Sequence, residues 1–221
     1  MKPGKYTIKE LFVNRELEQI VIPEIQRDYV WKKEQVEGLM NSLLSDYIKF
    51  DTEKINVTAD NEEIKNLFIN YYKKQQFASN IGFIYAYNDA EYKGKYFLID
   101  GQQRVTTVYL LLLNLFIATD DKADFEKKYF KDSQLKIDFK VRESSHDFFK
   151  NFIRFCLDNN FEGTIDFNAD FTKKLITQYW YYSDYTNDKT IQSIIKNYIV
   201  INNFVQTKNL NSKNFLNYIL D

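Results

Sequence analysis

Tyr96-Phe97-Leu98-Ile99-Asp100-Gly101-Gln102-Gln103-Arg104-Val105-Thr106-Thr107-Val108-Tyr109 is the stretch that decides how the chain reads. The apolar run from Tyr96 to Ile99 predicts a buried strand, and the run from Val105 to Ile117 predicts a buried helix. Between them stand an acid, a glycine, two amides and an arginine. Packing alone does not call for such a cluster, and its polar groups need partners. A strand that passes through glycine directly into a helix aims the helix's free N–H groups past the strand end. Anions, phosphate above all, are favoured there. Arg104 adds a permanently charged planar fork suited to phosphate oxygens. Asp100 adds a carboxylate able to hold a divalent cation or polarise a water. The plainer reading of the same residues is a polar loop in which Arg104 pairs with Asp100 or Glu24.

A second junction of the same kind lies upstream. Gln19 to Ile22 predicts a strand stopped by Pro23, and Gln26-Arg27-Asp28-Tyr29 follows it ahead of a helix. Two strand-to-helix junctions, each with glutamine and arginine, are able to converge on one anion at one edge of a sheet. The alternative is a turn braced by Arg27 and Tyr29. Tyr29 and Trp31 are the aromatics that stand apart from the helical stripes; most of the 17 tyrosines and 19 phenylalanines fall on such stripes and read as core.

Composition narrows the chemistry. The chain of 221 residues is 44% hydrophobic, enough for one large domain or two small ones. With 30 Lys+Arg against 31 Asp+Glu, its overall charge is not that of an autonomous, non-specific DNA binder, although a local basic face is compatible with it. The lysine pairs Lys32-Lys33, Lys73-Lys74 and Lys127-Lys128 read as solvated faces. The one cysteine, Cys156, lies in an aromatic helical pattern and reads as a core thiol, so neither a disulfide framework nor a Cys-type zinc site is available. The one histidine, His146, reads as a surface or helix-start residue. Its singularity excludes a two-histidine zinc protease helix or a His-Asn-His nuclease site within this chain. Walker-type phosphate loops and Gly-x-Ser-x-Gly elbows do not occur. Met1 to Glu10 lacks the apolar core of a secretory signal, and the longest apolar run, Val108 to Ala118, is interrupted by Asn114 and too short to span a bilayer. The expectation is a cytoplasmic protein with no membrane association.

The remaining elements follow in order. Thr7-Ile8-Lys9-Glu10 fits a capping box at the start of a short helix. Val36, Leu39, Met40, Leu43, Leu44 and Tyr47 mark an amphipathic helix. Ile48 to Asn56 reads as strand or loop. Asp60 is placed to cap a helix carrying Ile64, Leu67, Phe68, Tyr71 and Tyr72 on one face, and the region of about 48–78 reads as an insertion between parts of a sheet. Ile81 to Tyr87 reads as a strand forming a hairpin with Tyr96 to Ile99. Past Thr119 the pattern is mostly helical, with stripes at Phe148, Phe149, Phe152, Ile153 and Cys156, at Phe171, Leu175, Ile176 and Tyr179, and at Ile191, Ile194, Ile195, Tyr198 and Ile201. Leu135 to Val141 reads as one strand. The chain closes on an amphipathic helix, Asn214 to Leu220, an expectation of a longer protein. The fold class is α+β: a core at 1–119 built on a small mixed sheet with helices, then a mostly helical half at 120–221.

Two motifs together carry a family resemblance. Ile22-Pro23-Glu24-Ile25-Gln26-Arg27-Asp28-Tyr29-Val30-Trp31 and Phe97-Leu98-Ile99-Asp100-Gly101-Gln102-Gln103-Arg104-Val105-Thr106-Thr107 resemble the N-terminal domain of GmrSD-type restriction endonucleases, of the ParB/sulfiredoxin-like superfamily. The motifs cover roughly the first half of the chain; Asp28 stands where many members have proline. The resemblance implies a ParB/sulfiredoxin-like fold and binding and hydrolysis of a nucleoside triphosphate of unspecified base. It implies restriction of foreign or modified phage DNA, with a separate nuclease domain or subunit doing the cutting.

On that reading the backbone of Gly101, Gln102 and Gln103 cradles phosphate, with Thr106 beside it. Arg104 and Arg27 neutralise the triphosphate, Asp100 holds Mg²⁺ or orients the attacking water, and Gln102 or Gln103 positions that water or binds the phosphate edge. Gln26 stands behind these groups or touches the base. Asp100, Arg104 and Gln103 are the expected catalytic residues; the nucleotide, DNA and the nuclease part are the expected partners. The alternatives are a non-catalytic nucleotide- or DNA-binding regulatory module and a direct Mg²⁺-dependent nuclease using Asp100 with an acid such as Glu24.

Overall fold

The computed structural model describes residues 4–13, 17–23, 28–53, 61–131, 134–140, 143–159, 161, 166–208 and 210–221. In chain order these form α1 (Ile8–Val13), β1 (Gln19–Ile22), α2 (Lys33–Thr52), α3 (Glu62–Phe77), β2 (Tyr85–Asn88), β3 (Lys95–Asp100), α4 (Gln102–Ala118) and α5 (Lys122–Tyr129). There follow β4 (Phe130–Lys131), β5 (Gln134–Leu135), β6 (Ile137–Phe139), α6 (Glu143–Asp158), α7 (Phe167–Ile176), a 3₁₀ turn (Ser183–Thr186), α8 (Lys189–Thr207) and α9 (Ser212–Leu220). The class is α+β, with a mixed four-stranded sheet in the order β2-β3-β1-β6. β1 runs parallel to both β3 and β6, whereas β2 is antiparallel to β3.

The registers place Tyr87, Phe97, Val21 and Asp138 side by side across all four strands, so they share one face. The residues of opposite parity, Ile20, Ile22, Leu98, Ile137 and Phe139, enter the main hydrophobic core. That core extends along α4, which is buried on all sides from Val105 to Phe116 and packs against α5, α8 and α9. A helix apolar all round belongs in the centre of a fold. Removing one of its leucines, such as Leu112, would cost about 2–5 kcal/mol. Asn114, the polar interruption, donates to Asn202 of α8 at 3.1 Å. Among the described residues no helix is long and apolar enough to cross a membrane.

Local signals hold in detail. Thr7 and Glu10 form the reciprocal capping box, with N–H to side-chain oxygen distances of 2.8 and 3.1 Å. The parallel strand β6 comes from beyond position 120 and joins the same sheet as β1, and one continuous core contains residues from both sides of that position.

Several expectations are corrected. The segment from Ile48 is not strand or loop up to Thr52: α2 continues because Tyr47 and Phe50 pack on Tyr218, and Tyr47 also on Phe215, keeping the helical stripe in register. The rest of that segment, from 54, lies outside the described residues, as does Asp60; Asn61 caps α3, accepting from the N–H of Glu63 and Ile64. β2 begins at Tyr85 rather than Ile81, because the main chain at Ile81 and Gly82 is engaged by Arg104. Leu135 to Val141 is not one strand. β5 pairs with β4, Lys136 makes the break, and β6 pairs with β1, so the two pieces belong to different sheets; Val141 lies outside the described residues. Phe171 and Leu175 are buried, but α7 stops at Ile176, which is exposed together with Tyr179.

Candidate functional site

β3 ends at Asp100 and α4 starts at Gln102, with only Gly101 between. Gly101 has φ +93°, a left-handed conformation, and a Cβ there would lie 3.1 Å from Ile84 Cγ1. Glycine meets both demands at once. No side chain caps α4. Its positive N-terminus is therefore left to face a cleft at the carboxyl end of a parallel strand, where open α/β sheets bind ligands. The cleft has a volume of about 470 Å³ and is lined by Val30, Trp31, Ile99, Asp100, Gly101, Gln102, Gln103 and Arg104.

Five of the expected site residues, Asp100 to Arg104, thus meet in one cavity. Thr106 does not line it: its side chain is fully buried and its hydroxyl has no hydrogen-bond partner among the described residues. Gln26 and Arg27, with Glu24, lie outside the described residues.

Arg104 is held from two sides. Its Nη1 donates to the Ile81 carbonyl at 2.9 Å, and its Nη2 lies 3.3 Å from Asp100 Oδ2. The guanidinium sits so close to Gly82 that a Cβ there would stand 2.2 Å from Nη1. The segment leading into β2 is therefore a strap over the arginine, which fixes the fork beside the helix terminus. The Asp100 side chain is 65% exposed against 25% for Arg104, so the carboxylate keeps open coordination sites toward solvent.

Gln103 is a brace. Its Oε1 accepts the N–H groups of Val30 at 3.0 Å and Trp31 at 3.1 Å, and its Nε2 donates to the Asp28 carbonyl at 2.8 Å. A role on an attacking water is confined to the remaining N–H. Thr107, one turn further along α4, donates to the Gln103 carbonyl at 2.8 Å and so accepts from the Tyr29 hydroxyl at 2.9 Å. Burial pushes the Tyr29 phenol up to about 12, against the opposing pull of its hydrogen bonds. From the other side, Thr190 and Asn197 of α8 hold the main chain of Tyr29 and Trp31. Five backbone groups of the 28–31 loop, the N–H of Tyr29, Val30 and Trp31 and the carbonyls of Asp28 and Trp31, are thus paired by side chains of two helices, as buried main-chain polar groups require.

Some of these partners are invisible in local sequence. Thr190 and Asn197 carry no motif. Gly82 did carry a signal: an isolated glycine inside an apparent strand marks a close backbone approach. His146 lies in the first turn of α6, as its helix-start reading has it, but its Nδ1 is 2.5 Å from Oδ1 of the buried Asp138 on β6, a pairing that sequence spacing does not disclose. Cys156 is buried, and that burial pushes its thiol far up, as befits a core residue.

Among the described residues no group of three His, Cys, Asp or Glu side chains is placed to hold a metal ion. Among the described residues Asp100 is the one carboxylate lining the cleft. That donor set suits a cation such as Mg²⁺, which keeps several waters and binds through one or two carboxylates together with substrate phosphates.

No curated protein and no solved structure matches the chain. The family model for the GmrSD restriction endonuclease N-terminal domain matches residues 8–221. The match takes in both strand-to-helix junctions, the strap over Arg104 and the helices that brace the loop, and by it the chain belongs to the GmrSD restriction endonuclease N-terminal domain family.

Proposed function

We propose that the cleft binds, and with Mg²⁺ hydrolyses, a nucleoside triphosphate, and that this state controls a DNA-cutting nuclease domain or subunit acting on foreign or modified DNA. The observation that carries the reading is the coincidence, in one cavity of about 470 Å³, of a helix N-terminus entered through a left-handed glycine, a strapped arginine and an exposed carboxylate. The volume lies in the range of small-ligand sites. The two walls differ in chemistry. Asp100 to Arg104 form a polar wall for the phosphates, whereas Val30, Trp31 and Ile99 form an apolar wall for the base and sugar.

Within that pocket Gly101, Gln102 and Gln103 supply backbone donors to phosphate oxygens. Arg104, already oriented by the Ile81 carbonyl, neutralises the charge that develops on phosphoryl transfer. Asp100 and the phosphates would hold Mg²⁺, which supplies further charge neutralisation. Asp100 also orients water. Gln103 holds Val30 and Trp31 in place. Arg27 and Gln26 are assigned further contacts to the phosphates. The cellular setting is the cytoplasm.

A second reading has its own observation. Asp100 and Arg104 pair with each other across 3.3 Å, an arrangement that a bound phosphate chain would rearrange without any turnover. On that reading the domain is a nucleotide-operated switch.

One experiment separates the two. The protein is screened by thermal shift with the four triphosphates, with and without Mg²⁺, and phosphate release is followed for the wild type, Asp100→Ala and Arg104→Ala. Stabilisation with turnover that both substitutions abolish supports the enzyme. Stabilisation without turnover supports the switch. No stabilisation by any triphosphate refutes both.

A further inference from the structure

The loop Asp28–Trp31 has two sides. One lines the cleft through Val30 and Trp31. The other is held by α8, which comes from the far end of the chain. Thr190 Oγ1 accepts the Tyr29 N–H at 3.2 Å and donates to Asp28 Oδ1 at 3.3 Å. Asn197 Nδ2 donates to the Trp31 carbonyl at 2.8 Å. Thr190 is 1% exposed and Asn197 2%. At that depth water does not replace a lost partner, and the loop group left behind stays unpaired.

The spacing fits the task. The buried residues of α8 include Ile191, Ile194, Ile195, Tyr198 and Ile201, and Thr190 and Asn197 are polar exceptions among them. They stand seven residues apart, two helical turns, which puts both on one face and about 10 Å apart along the axis. Three residues of extended chain, Tyr29 to Trp31, also span about 10 Å. The two polar positions therefore match the two ends of the loop segment they hold.

We infer that Thr190 and Asn197 are positioning residues of the cleft. They set the Val30–Trp31 wall by hydrogen bonds to its main chain, so the helical half of the protein takes part in ligand binding without touching the ligand. The identity of the ligand rests on the nucleotide reading above; the placement of Trp31 by α8 does not. Because the wall in question is the apolar one, its loss weakens a ligand that has a base and sugar more than one made of phosphates alone.

The chain has two tryptophans, and Trp180 packs against Phe148 and Phe155 in the core. A Trp180→Phe background therefore leaves Trp31 as the sole tryptophan, excited selectively on the long-wavelength side of tyrosine absorption. In it, Thr190→Val removes the hydroxyl at nearly constant shape, Thr190→Ser restores it, and Asn197→Ala removes the second hold. Thr190→Val and Asn197→Ala are expected to red-shift Trp31 emission and ease its quenching by acrylamide. They should also weaken nucleoside triphosphate binding about tenfold, the size of one lost buried hydrogen bond. Affinity for inorganic tripolyphosphate should stay within about twofold, and Thr190→Ser should behave as the background protein.

Unchanged Trp31 emission and quenching in both variants would overturn the inference. So would equal losses for nucleoside triphosphate and tripolyphosphate, or failure of serine to rescue, since either is what a general packing role predicts. If the background protein binds no nucleoside triphosphate, the proposed function falls, and emission and quenching alone decide whether α8 sets the wall. If Asn197→Ala does not fold, the Thr190 pair carries the decision.

Discussion

The side-chain oxygen of Gln103 accepts the main-chain N–H of Trp31 at 3.1 Å, tying the first turn of the central helix to a loop more than seventy residues upstream. The same amide also binds Val30 and Asp28. Gln103→Leu leaves two N–H groups and one carbonyl of the loop without these partners. The expected loss is about 2–3 kcal/mol, read as a lower urea midpoint with an unchanged slope. Gln103→Glu keeps the acceptor and loses the donor to Asp28, so its loss should be intermediate. A midpoint for Gln103→Leu equal to wild type would show that the loop is held without the brace.

Gly82 and Gly38 form a matched pair for testing the strap. Gly82 has φ +87° and would place a Cβ 2.2 Å from the Arg104 guanidinium; Gly38 lies exposed in α2 with nothing within 4 Å of its Cβ position. Gly82→Ala is expected to destabilise by about 1–3 kcal/mol and to displace Arg104 from the cleft, weakening phosphate binding. Gly38→Ala is expected to stabilise by about 0.5–1 kcal/mol, because alanine is the better helix former. Calorimetry on the two variants gives the signs directly.

What the sequence makes legible follows from the range of the interactions. The β3–Gly101–α4 junction is read correctly because its signals are local: an apolar strand, a glycine that must turn, and a helix apolar on all sides. The capping box at Thr7 and Glu10 is legible for the same reason. The loop wall is not. Tyr29 is fixed by Thr107 and Thr190, and Trp31 by Gln103 and Asn197, across separations that no spacing rule connects. Ile81 to Ile84 has the composition of a strand, yet a tertiary hydrogen bond to Arg104 outweighs that propensity. Lys136 splits an alternating pattern between two sheets, because β1 offers its edge to Ile137 onward and β4 takes what precedes. The exposed apolar residues of α3 mark the limit of periodicity, which finds a stripe but not what it faces.

The buried phenols predict an alkaline limit to stability. Tyr29 is raised from 10.0 to about 12 by burial, and burial also raises Tyr109, Tyr198 and the thiol of Cys156. In each case the folded protein keeps a proton that the unfolded chain gives up more easily. The contribution is therefore fully present below the unfolded value and is lost as pH rises toward the folded one. Urea melts should give flat stability from about pH 7 to 8, a first fall as the thiol of Cys156 ionises in the unfolded chain, and a steeper one from about pH 10 as the phenols follow, near 1.4 kcal/mol per pH unit for each such group. Tyr29→Phe should lower stability at pH 8 by about 1 kcal/mol through its lost bond to Thr107, and should shrink the fall between pH 10 and 12. Constant stability to pH 12 would refute the assignment of these groups to the folded core.

The Asp100–Arg104 pair separates function from folding. Its members are 3.3 Å apart, with Asp100 largely exposed, and such pairs are worth less than about 1 kcal/mol because water and salt screen them. Asp100→Ala should therefore melt close to wild type. Arg104→Ala should cost somewhat more, since the Ile81 carbonyl also loses its donor. If the cleft binds a nucleoside triphosphate, Arg104→Ala should abolish the ligand-induced rise in melting temperature despite that small cost. Asp100→Ala should remove its Mg²⁺-dependent part while leaving a metal-independent part, because the helix N-terminus and Arg104 remain. Binding to wild type should weaken steadily with added salt, as expected where charge carries the affinity. A ligand-induced shift equal in wild type and Arg104→Ala would place the triphosphate elsewhere on the protein, and the strapped arginine would then be a structural pin between β3 and the segment leading into β2.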